Sequence, residues 1–94
     1  MMKIEHEEKG RKGIFFINEE GERLAEIAYF TSAPGIITVY HTEVSPDLRG
    51  EGIGEDLVAA VVDYARKNDL KIIATCEDAK KVIVETPEFQ DVLA

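Results

Sequence analysis

A glycine-rich stretch in the middle of the chain, Arg49-Gly50-Glu51-Gly52-Ile53-Gly54, has the residue types that suit a phosphate-binding site. Its glycines need a physical reason, because glycine costs stability where a helix begins. Without side chains, the backbone can approach an anion closely, and the free N–H groups of a first helical turn point toward it. Arg49 can add a charge-assisted hydrogen bond. The alternative is a tight turn without a ligand, but the arginine and the position between a strand and a helix favour a phosphate ligand.

The residues before this loop predict four strands joined by short turns. Runs of β-branched and aromatic residues are separated by glycine, asparagine and proline. The predicted strands cover residues 4–9, 14–18, 22–32 and 36–44, with turns at 10–13, 18–21 and 34–35. Successive strands with such short connections pair antiparallel, so the first half of the chain predicts an antiparallel four-stranded meander.

The residues after the loop change to helical spacing. Over residues 52–67 the apolar positions recur three or four residues apart, and they are Ile53, Leu57, Val58, Val61, Val62 and Ala65. Residues 71–76 predict a short buried strand, 77–85 a second helix and 88–93 a last helical turn. A strand, a helix and a strand in this order favour a parallel pair with a right-handed crossover. The predicted fold class is therefore α+β (mixed α/β), as a single domain over residues 1–94.

The surroundings of the loop restrict the kind of phosphate ligand. A nucleotide-binding P-loop needs Lys-Ser or Lys-Thr after its last glycine, and this chain has Glu55 and Asp56 there. A dinucleotide-binding fold needs a parallel sheet built from two mononucleotide-binding halves. A chain of 94 residues with an antiparallel first half has no room for that arrangement.

The loop resembles the acyl-CoA loop of the GNAT superfamily of N-acetyltransferases. Arg49-x-x-Gly52-x-Gly54 matches the pattern Arg/Gln-x-x-Gly-x-Gly/Ala, which in that superfamily joins the fourth strand to the crossover helix. The segments at residues 40–44, 75–76 and 86–89 are similar to the short, single-domain branch of the superfamily. The resemblance implies an acyl-CoA N-acyltransferase-like fold and transfer of an acetyl group from acetyl-CoA to an amine.

The same resemblance implies where coenzyme A would bind. Backbone groups of Thr42 and Val44 would pair with the pantetheine arm, and one N–H would polarise the thioester carbonyl. The amides of Gly50, Glu51, Gly52, Ile53 and Gly54 would hold the pyrophosphate, together with Arg49. The chain has no room for two helices between the first strands or for the final pair of strands of longer GNAT enzymes. This implies an open acceptor cleft that would suit a lysine-containing protein or peptide.

Three side chains near this position are candidates for catalysis. His41 could act as the general base, because imidazole titrates near neutral pH. Glu43 lies two residues further along the same strand, so the two side chains should share a face and Glu43 could assist. Cys76 could be an acetylated intermediate, a proton donor to the thiolate or a small buried residue. We expect Tyr40 to pack on the opposite face of the strand.

Non-catalytic roles for these candidates remain open. A hydrogen-bonded histidine on a half-buried sheet accounts for His41 as well as a base does, and a solvated strand-end acid accounts for Glu43. His6 lies in a charged segment and is expected to be exposed. The second function that we consider is a non-catalytic module that binds CoA or acyl-CoA and recruits a basic partner. The third is a purely structural domain, which would bind no CoA.

The composition excludes several other classes of function. A formal net charge of −8 argues against nucleic-acid binding and favours cationic partners. No apolar run approaches the roughly 20 residues of a membrane-spanning helix. A single cysteine and the absence of ligand-spaced His/Cys clusters predict neither a disulfide nor a metal site. We expect a cytoplasmic protein that is a monomer or a weak homodimer paired through its first strand.

Overall fold

The computed structural model describes residues 3–48 and 50–94, which form a five-stranded sheet and two helices. The strands are Glu5–Lys9 (β1), Lys12–Glu19 (β2), Glu22–Ala33 (β3), Ile36–Val44 (β4) and Lys71–Ala74 (β5). The helices are Ile53–Lys67 (α1) and Glu77–Glu85 (α2), and 3-10 turns cover Pro46–Leu48 and Pro87–Val92. The strands lie in chain order, with β1 to β4 antiparallel and β5 parallel to β4. The predicted topology is confirmed.

The core lies between one face of the sheet and the two helices. We call this side of the sheet the helix face, and it carries Phe15, Ile27 and Val39. The apolar stripe predicted for α1 is buried against it, with Leu57 and Ala65 fully inaccessible. Residues that alternate with these along the strands, such as Phe16 and Ala28, lie on the opposite side of the sheet, the outer face. Among the described residues neither helix is long and apolar enough to cross a membrane.

A β-bulge in the middle of β4 changes which side chains reach which face. Ala28 pairs with His41 and Tyr29 pairs with Val39, so Tyr40 is an extra residue in β4. The Tyr40 ring lies 5.7 Å from that of Phe30, which is two residues from Ala28 and therefore on the outer face. The expectation that Tyr40 and His41 lie on opposite faces is thus wrong, because simple alternation does not hold across a bulge.

The ring of Tyr29 crosses the neighbouring strand over Gly13. A Cβ atom at Gly13 would lie 2.2 Å from Cζ of Tyr29, so this position has no room for a side chain. Gly13 belongs to β2 and not to the predicted turn. The absence of a side chain there lets the Tyr29 ring reach β1. There the Tyr29 hydroxyl lies 2.6 Å from Nε2 of His6.

His6 is an exposed residue, as expected, but its ring also packs on this aromatic cluster. Its ring stacks on Phe15 with centroids 4.0 Å apart and an interplanar angle of 3°. Tyr64 of α1 contacts the same ring edge-on, and its hydroxyl donates to Glu8 at 2.7 Å. Desolvation lowers the pKa of His6 below 6.5, against an opposing effect of Glu8. These contacts fix the edge strand β1 on the core.

The substitution Gly13→Ala tests the crossing of Tyr29 over β2. We expect a loss of about 1–3 kcal/mol in the free energy of unfolding, because the new methyl group forces the Tyr29 ring to move. Chemical denaturation measures this loss. The same substitution at Gly54, where a Cβ meets open space, is the control. Equal stability of the two variants would show that Tyr29 moves aside without cost.

The partly covered ring of His6 predicts a pH-dependent stability. A pKa below the unfolded value of 6.5 means that protonation opposes folding, so stability falls as the pH drops through 6.5 toward the folded value. Replacement His6→Phe keeps a stacked ring and removes this titration. The free energy of unfolding should therefore fall more steeply between pH 8 and pH 5 in the wild type than in this variant. Parallel curves would contradict the prediction.

Candidate functional site

A fork in the sheet opens where β5 ends before β4 does. The last paired residues are Val39 and Ala74, and the carbonyl of Val39 still accepts the N–H of Thr75 at 2.9 Å. β4 continues to Val44, and on this side it has no further strand partner among the described residues. The strand predicted to reach Cys76 ends at Ala74 because the chain turns there to begin α2.

The backbone of Thr42 and Val44 faces this gap. The N–H of Ser45 donates to the carbonyl of Leu24 at 2.8 Å, so Ser45 directs its backbone groups toward β3. Hydrogen-bonding direction alternates along an antiparallel strand. Thr42 and Val44 therefore direct their N–H and C=O groups away from β3.

A cleft of about 940 Å³ continues from the fork along the helix face. The end of β4 contributes Thr42 and Val44, and α2 contributes Val82 and its neighbours. The glycine-rich loop and the start of α1 close the other side. Among the loop residues predicted to bind coenzyme A, those that line the cleft are Gly50, Gly52, Ile53 and Gly54.

The start of α1 presents amide N–H groups to the cleft that have no backbone partner among the described residues. Gly50 and Gly52 have φ values of 86° and 77°, in the left-handed region that glycine adopts readily. Helix α1 begins after Gly52, and the N–H of Asp56 donates to the carbonyl of Gly52 at 3.0 Å. The N–H groups of the residues between them form the open first turn, which is the feature that binds anions.

One described loop residue stands apart from this arrangement. Glu51 is exposed and is not among the residues that line the cleft, and its N–H bonds to the carbonyl of Leu48 at 3.3 Å. The structure thus brings four of the five described loop residues to the cleft, namely Gly50, Gly52, Ile53 and Gly54. Arg49, the predicted charged contact, lies outside the described residues.

The described residues that line the cleft include one basic side chain, which the sequence analysis missed. Lys81 of α2 lines it, beside Asp78 and Glu85 on the same side of the helix. Their spacing of three and four residues is the signal that could have identified this face. Glu43 and Glu55 add further negative charge. A phosphate ligand would therefore depend on backbone amides and on Lys81, since most of the described charged side chains here are acidic.

Cys76 lies at the junction of the fork and α2. It is the N-cap residue of α2, and its half-buried thiol is 3.4 Å from Oγ1 of Thr42. The predicted proximity of Cys76 to the point where the two strands separate is confirmed. Its thiol therefore contacts the side chain of Thr42, which also lines the cleft.

His41 and Glu43 share a face of β4, as predicted, but it is the outer face. Nε2 of His41 lies 3.8 Å from Oε2 of Glu43 and 3.0 Å from Oε2 of Glu26 on β3. Glu26 was missed, although the antiparallel pairing that aligns it with Glu43 could have identified it. The ligand atoms of these three residues lie within 4.8 Å of one another, so they could also hold a cation.

Comparison with known proteins shows which family this chain belongs to. Residues 14–92 match the model of the GCN5-related N-acetyl-transferases. The chain belongs to this family. The NATD1 protein of Gallus gallus is 33% identical over 86 residues, which cover 92% of this chain and 77% of that protein.

Solved structures of the family share the same fold. An NMR structure of a GCN5-like protein from Staphylococcus aureus is 41% identical, with a TM-score of 0.76. The match covers 96% of this chain and 87% of that one, so both are short members of the GCN5-related family. The ribosomal-protein-S18-alanine N-acetyltransferase of Escherichia coli shares the fold at 18% identity and a TM-score of 0.66, with 80% of this chain and 51% of that one covered.

Gly54 offers a clean test of the loop as a coenzyme A site. A Cβ at this position meets open space and its φ is ordinary, so Gly54→Val should fold normally while its side chain enters the cleft. CoA at about 100 times its dissociation constant should stabilise the wild type by about 2.7 kcal/mol. We expect Gly54→Val to lose this stabilisation in thermal unfolding.

The matched control is Gly54→Ala, which adds a single methyl group. The acyl-CoA loop that the sequence resembles accepts either glycine or alanine at this position, so this variant should keep most of the stabilisation by CoA. Gly52 is a poorer choice for such a test, because a side chain there is strained at a φ of 77°. An unchanged CoA effect in Gly54→Val would place the ligand elsewhere.

Proposed function

We propose that this protein transfers an acetyl group from acetyl-CoA to a primary amine. The observation that supports this proposal is the continuity of the cleft, which leads from the open amides of α1 to the free backbone edge of β4. An extended ligand with a pyrophosphate at one end and a pantetheine arm at the other fits such a path. Membership of the GCN5-related family supports the same reaction class.

The binding half of the proposal uses backbone groups almost entirely. The first-turn amides of α1 would hold the pyrophosphate, with Lys81 as an additional cation. Thr42 and Val44 would pair with the amide groups of the pantetheine arm as a neighbouring strand does. This pairing would bring the thioester to the fork, next to the thiol of Cys76.

The chemistry consists of one direct displacement. The thioester supplies an activated carbonyl carbon, the amine nitrogen forms a bond to it, and the carbon–sulfur bond breaks. A backbone N–H of the free β4 edge would stabilise the negative charge on the carbonyl oxygen. His41 would accept the proton that the amine loses, and the Cys76 thiol or water would supply a proton to the departing thiolate.

The charge of the protein favours a cationic acceptor. The chain has a net charge of −8, and Glu26 and Glu43 lie beside His41. A protonated primary amine, such as a lysine side chain in a protein or peptide, is attracted to this surface before it loses its proton. We therefore propose basic proteins, peptides and polyamines as the acceptors to test.

The test of the proposed function is an acetyl-transfer assay with a panel of amines. Wild-type protein is incubated with acetyl-CoA and polyamines, lysine peptides or histone-like tails, and both free thiol and acetylated amine are measured. Amine-dependent release of thiol above background hydrolysis supports the proposal. Stabilisation by CoA without transfer to any acceptor would favour the non-catalytic binding module.

The substitution His41→Gln tests the proposed base. We expect kcat to fall by about 100- to 10,000-fold, the range that a positioned general base contributes. Stabilisation by CoA should be unchanged, because His41 lies on the outer face and does not line the cleft. A variant with wild-type kcat would rule out His41 as the base and leave it as a hydrogen-bonded sheet residue.

A further inference from the structure

The shortest contact of His41 is with a carboxylate on the neighbouring strand. Nε2 of His41 lies 3.0 Å from Oε2 of Glu26, within hydrogen-bonding distance. The distance from the same nitrogen to Oε2 of Glu43 is 3.8 Å, which is too long for a hydrogen bond. Glu26 is thus the hydrogen-bonding partner of His41, although Glu43 is nearer in sequence.

Glu26 is held in place by the strands around it. It lies on β3, with β2 on one side and β4 on the other, opposite Phe16 and Glu43. Its side chain is 22% exposed, compared with 71% for Glu43. A less exposed carboxylate on an inner strand has fewer alternative positions, so it can orient a neighbouring ring better than a solvated one.

An arginine fixes the second oxygen of the same carboxylate. Nη1 of Arg23 donates to Oε1 of Glu26 at 3.3 Å. Its guanidinium group lies 4.1 Å from the centroid of the Phe16 ring, and its Nε donates to Asn18 at 2.7 Å. Arg23 therefore has three contacts of its own, and Glu26 is bound between it and His41.

This arrangement selects one form of the imidazole ring. An ionised carboxylate can only accept a hydrogen bond, so Nε2 of His41 must carry the proton. In the neutral ring the free lone pair is then on Nδ1, which is the atom able to accept a proton from an amine. The charge that forms on the ring is balanced at once by the adjacent Glu26.

We propose that Glu26 is a positioning residue for acetyl transfer, which fixes the His41 ring with Nε2 as a hydrogen-bond donor and Nδ1 free to accept a proton. The proposal rests on the proposed role of His41 as the base. It assigns Glu26, on the neighbouring strand β3, as the carboxylate that hydrogen-bonds to His41. Glu43 then contributes only a nearby negative charge. The bulge at Tyr40 makes this pairing possible, because it brings His41 opposite Ala28 on the outer face.

The experiment compares Glu26→Gln with Glu43→Gln in the transfer assay. The acceptor is the amine to which the wild-type protein transfers fastest. Both substitutions remove one negative charge from the same surface, but only Glu26→Gln removes the acceptor for Nε2–H. We expect kcat to fall at least about tenfold in Glu26→Gln, with an unchanged KM for acetyl-CoA, as part of what a positioned base contributes. In Glu43→Gln we expect a smaller loss of kcat than in Glu26→Gln, because its carboxylate lies 3.8 Å from Nε2 of His41 and makes no hydrogen bond to it.

A conservative variant separates positioning from a general structural effect. Glu26→Asp keeps a carboxylate at this position, so it should recover part of the kcat that Glu26→Gln loses, with the KM for acetyl-CoA unchanged in both. A variant that was merely less well folded would not depend in this way on the carboxylate. Circular dichroism and stabilisation by CoA check that the fold and the cleft are intact.

The outcomes distinguish this inference from the proposed function. Equal or larger loss of kcat in Glu43→Gln, or wild-type kcat in Glu26→Gln, would overturn the role of Glu26 while transfer by the wild type still supports the function. A kcat in Glu26→Asp no higher than in Glu26→Gln would also count against it. Absence of transfer by the wild type with every amine would overturn both.

Discussion

The difference in length between β4 and β5 is the constraint on which the candidate site depends. β5 pairs with β4 over four residues and then turns into α2, whereas β4 continues to Val44. A strand that is paired on one edge only has backbone donors and acceptors that need partners. The end of β4 is left in this condition next to a helix start whose amides are also open. Two incomplete hydrogen-bonding surfaces thus meet in one cleft, and both suit the same extended anionic ligand.

The bulge at Tyr40 divides the chemistry between the two faces of the sheet. Without an extra residue in β4, alternation from Val39 would place His41 on the helix face and Thr42 on the outer face. With it, Thr42 lies beside Cys76 in the cleft, and His41 lies beside Glu26 on the outer face. The donor and the proton acceptor can therefore occupy opposite sides of the same short strand segment. One inserted residue is enough to produce this separation.

The sequence predicts the elements well because each of them has a strong local signal. The apolar positions of α1 follow helical spacing, and all six predicted ones are buried. β4 is bounded by Pro34-Gly35 and Pro46, and its predicted range of 36–44 is the observed one. The loop is recognisable because its glycines are expensive at a helix start and need a ligand or a turn to justify them. These features depend on neighbours along the chain.

The errors concern contacts between strands, which no local pattern specifies. The bulge that moves Tyr40 depends on how β4 pairs with β3, and the packing of His6 depends on Gly13 being bare beneath Tyr29. Glu26 escaped notice because it is 15 residues from His41 along the chain. Register brings such residues together, and register follows from burial of a whole face rather than from any single position. The fold was therefore easier to predict than the side chains that surround the site.

Charge explains why the cleft relies on backbone groups. The described charged residues that line it are Lys81, Glu43, Glu55, Asp78 and Glu85, an excess of acids that would repel a pyrophosphate in open solvent. Amides of a helix start and of a strand edge are fixed dipoles that bind an anion or an amide without a net charge of their own. In the proposed reaction the acids can then attract the acceptor, since a primary amine arrives as a cation. A protein that binds an anion and a cation in succession benefits from using dipoles for the first and carboxylates for the second.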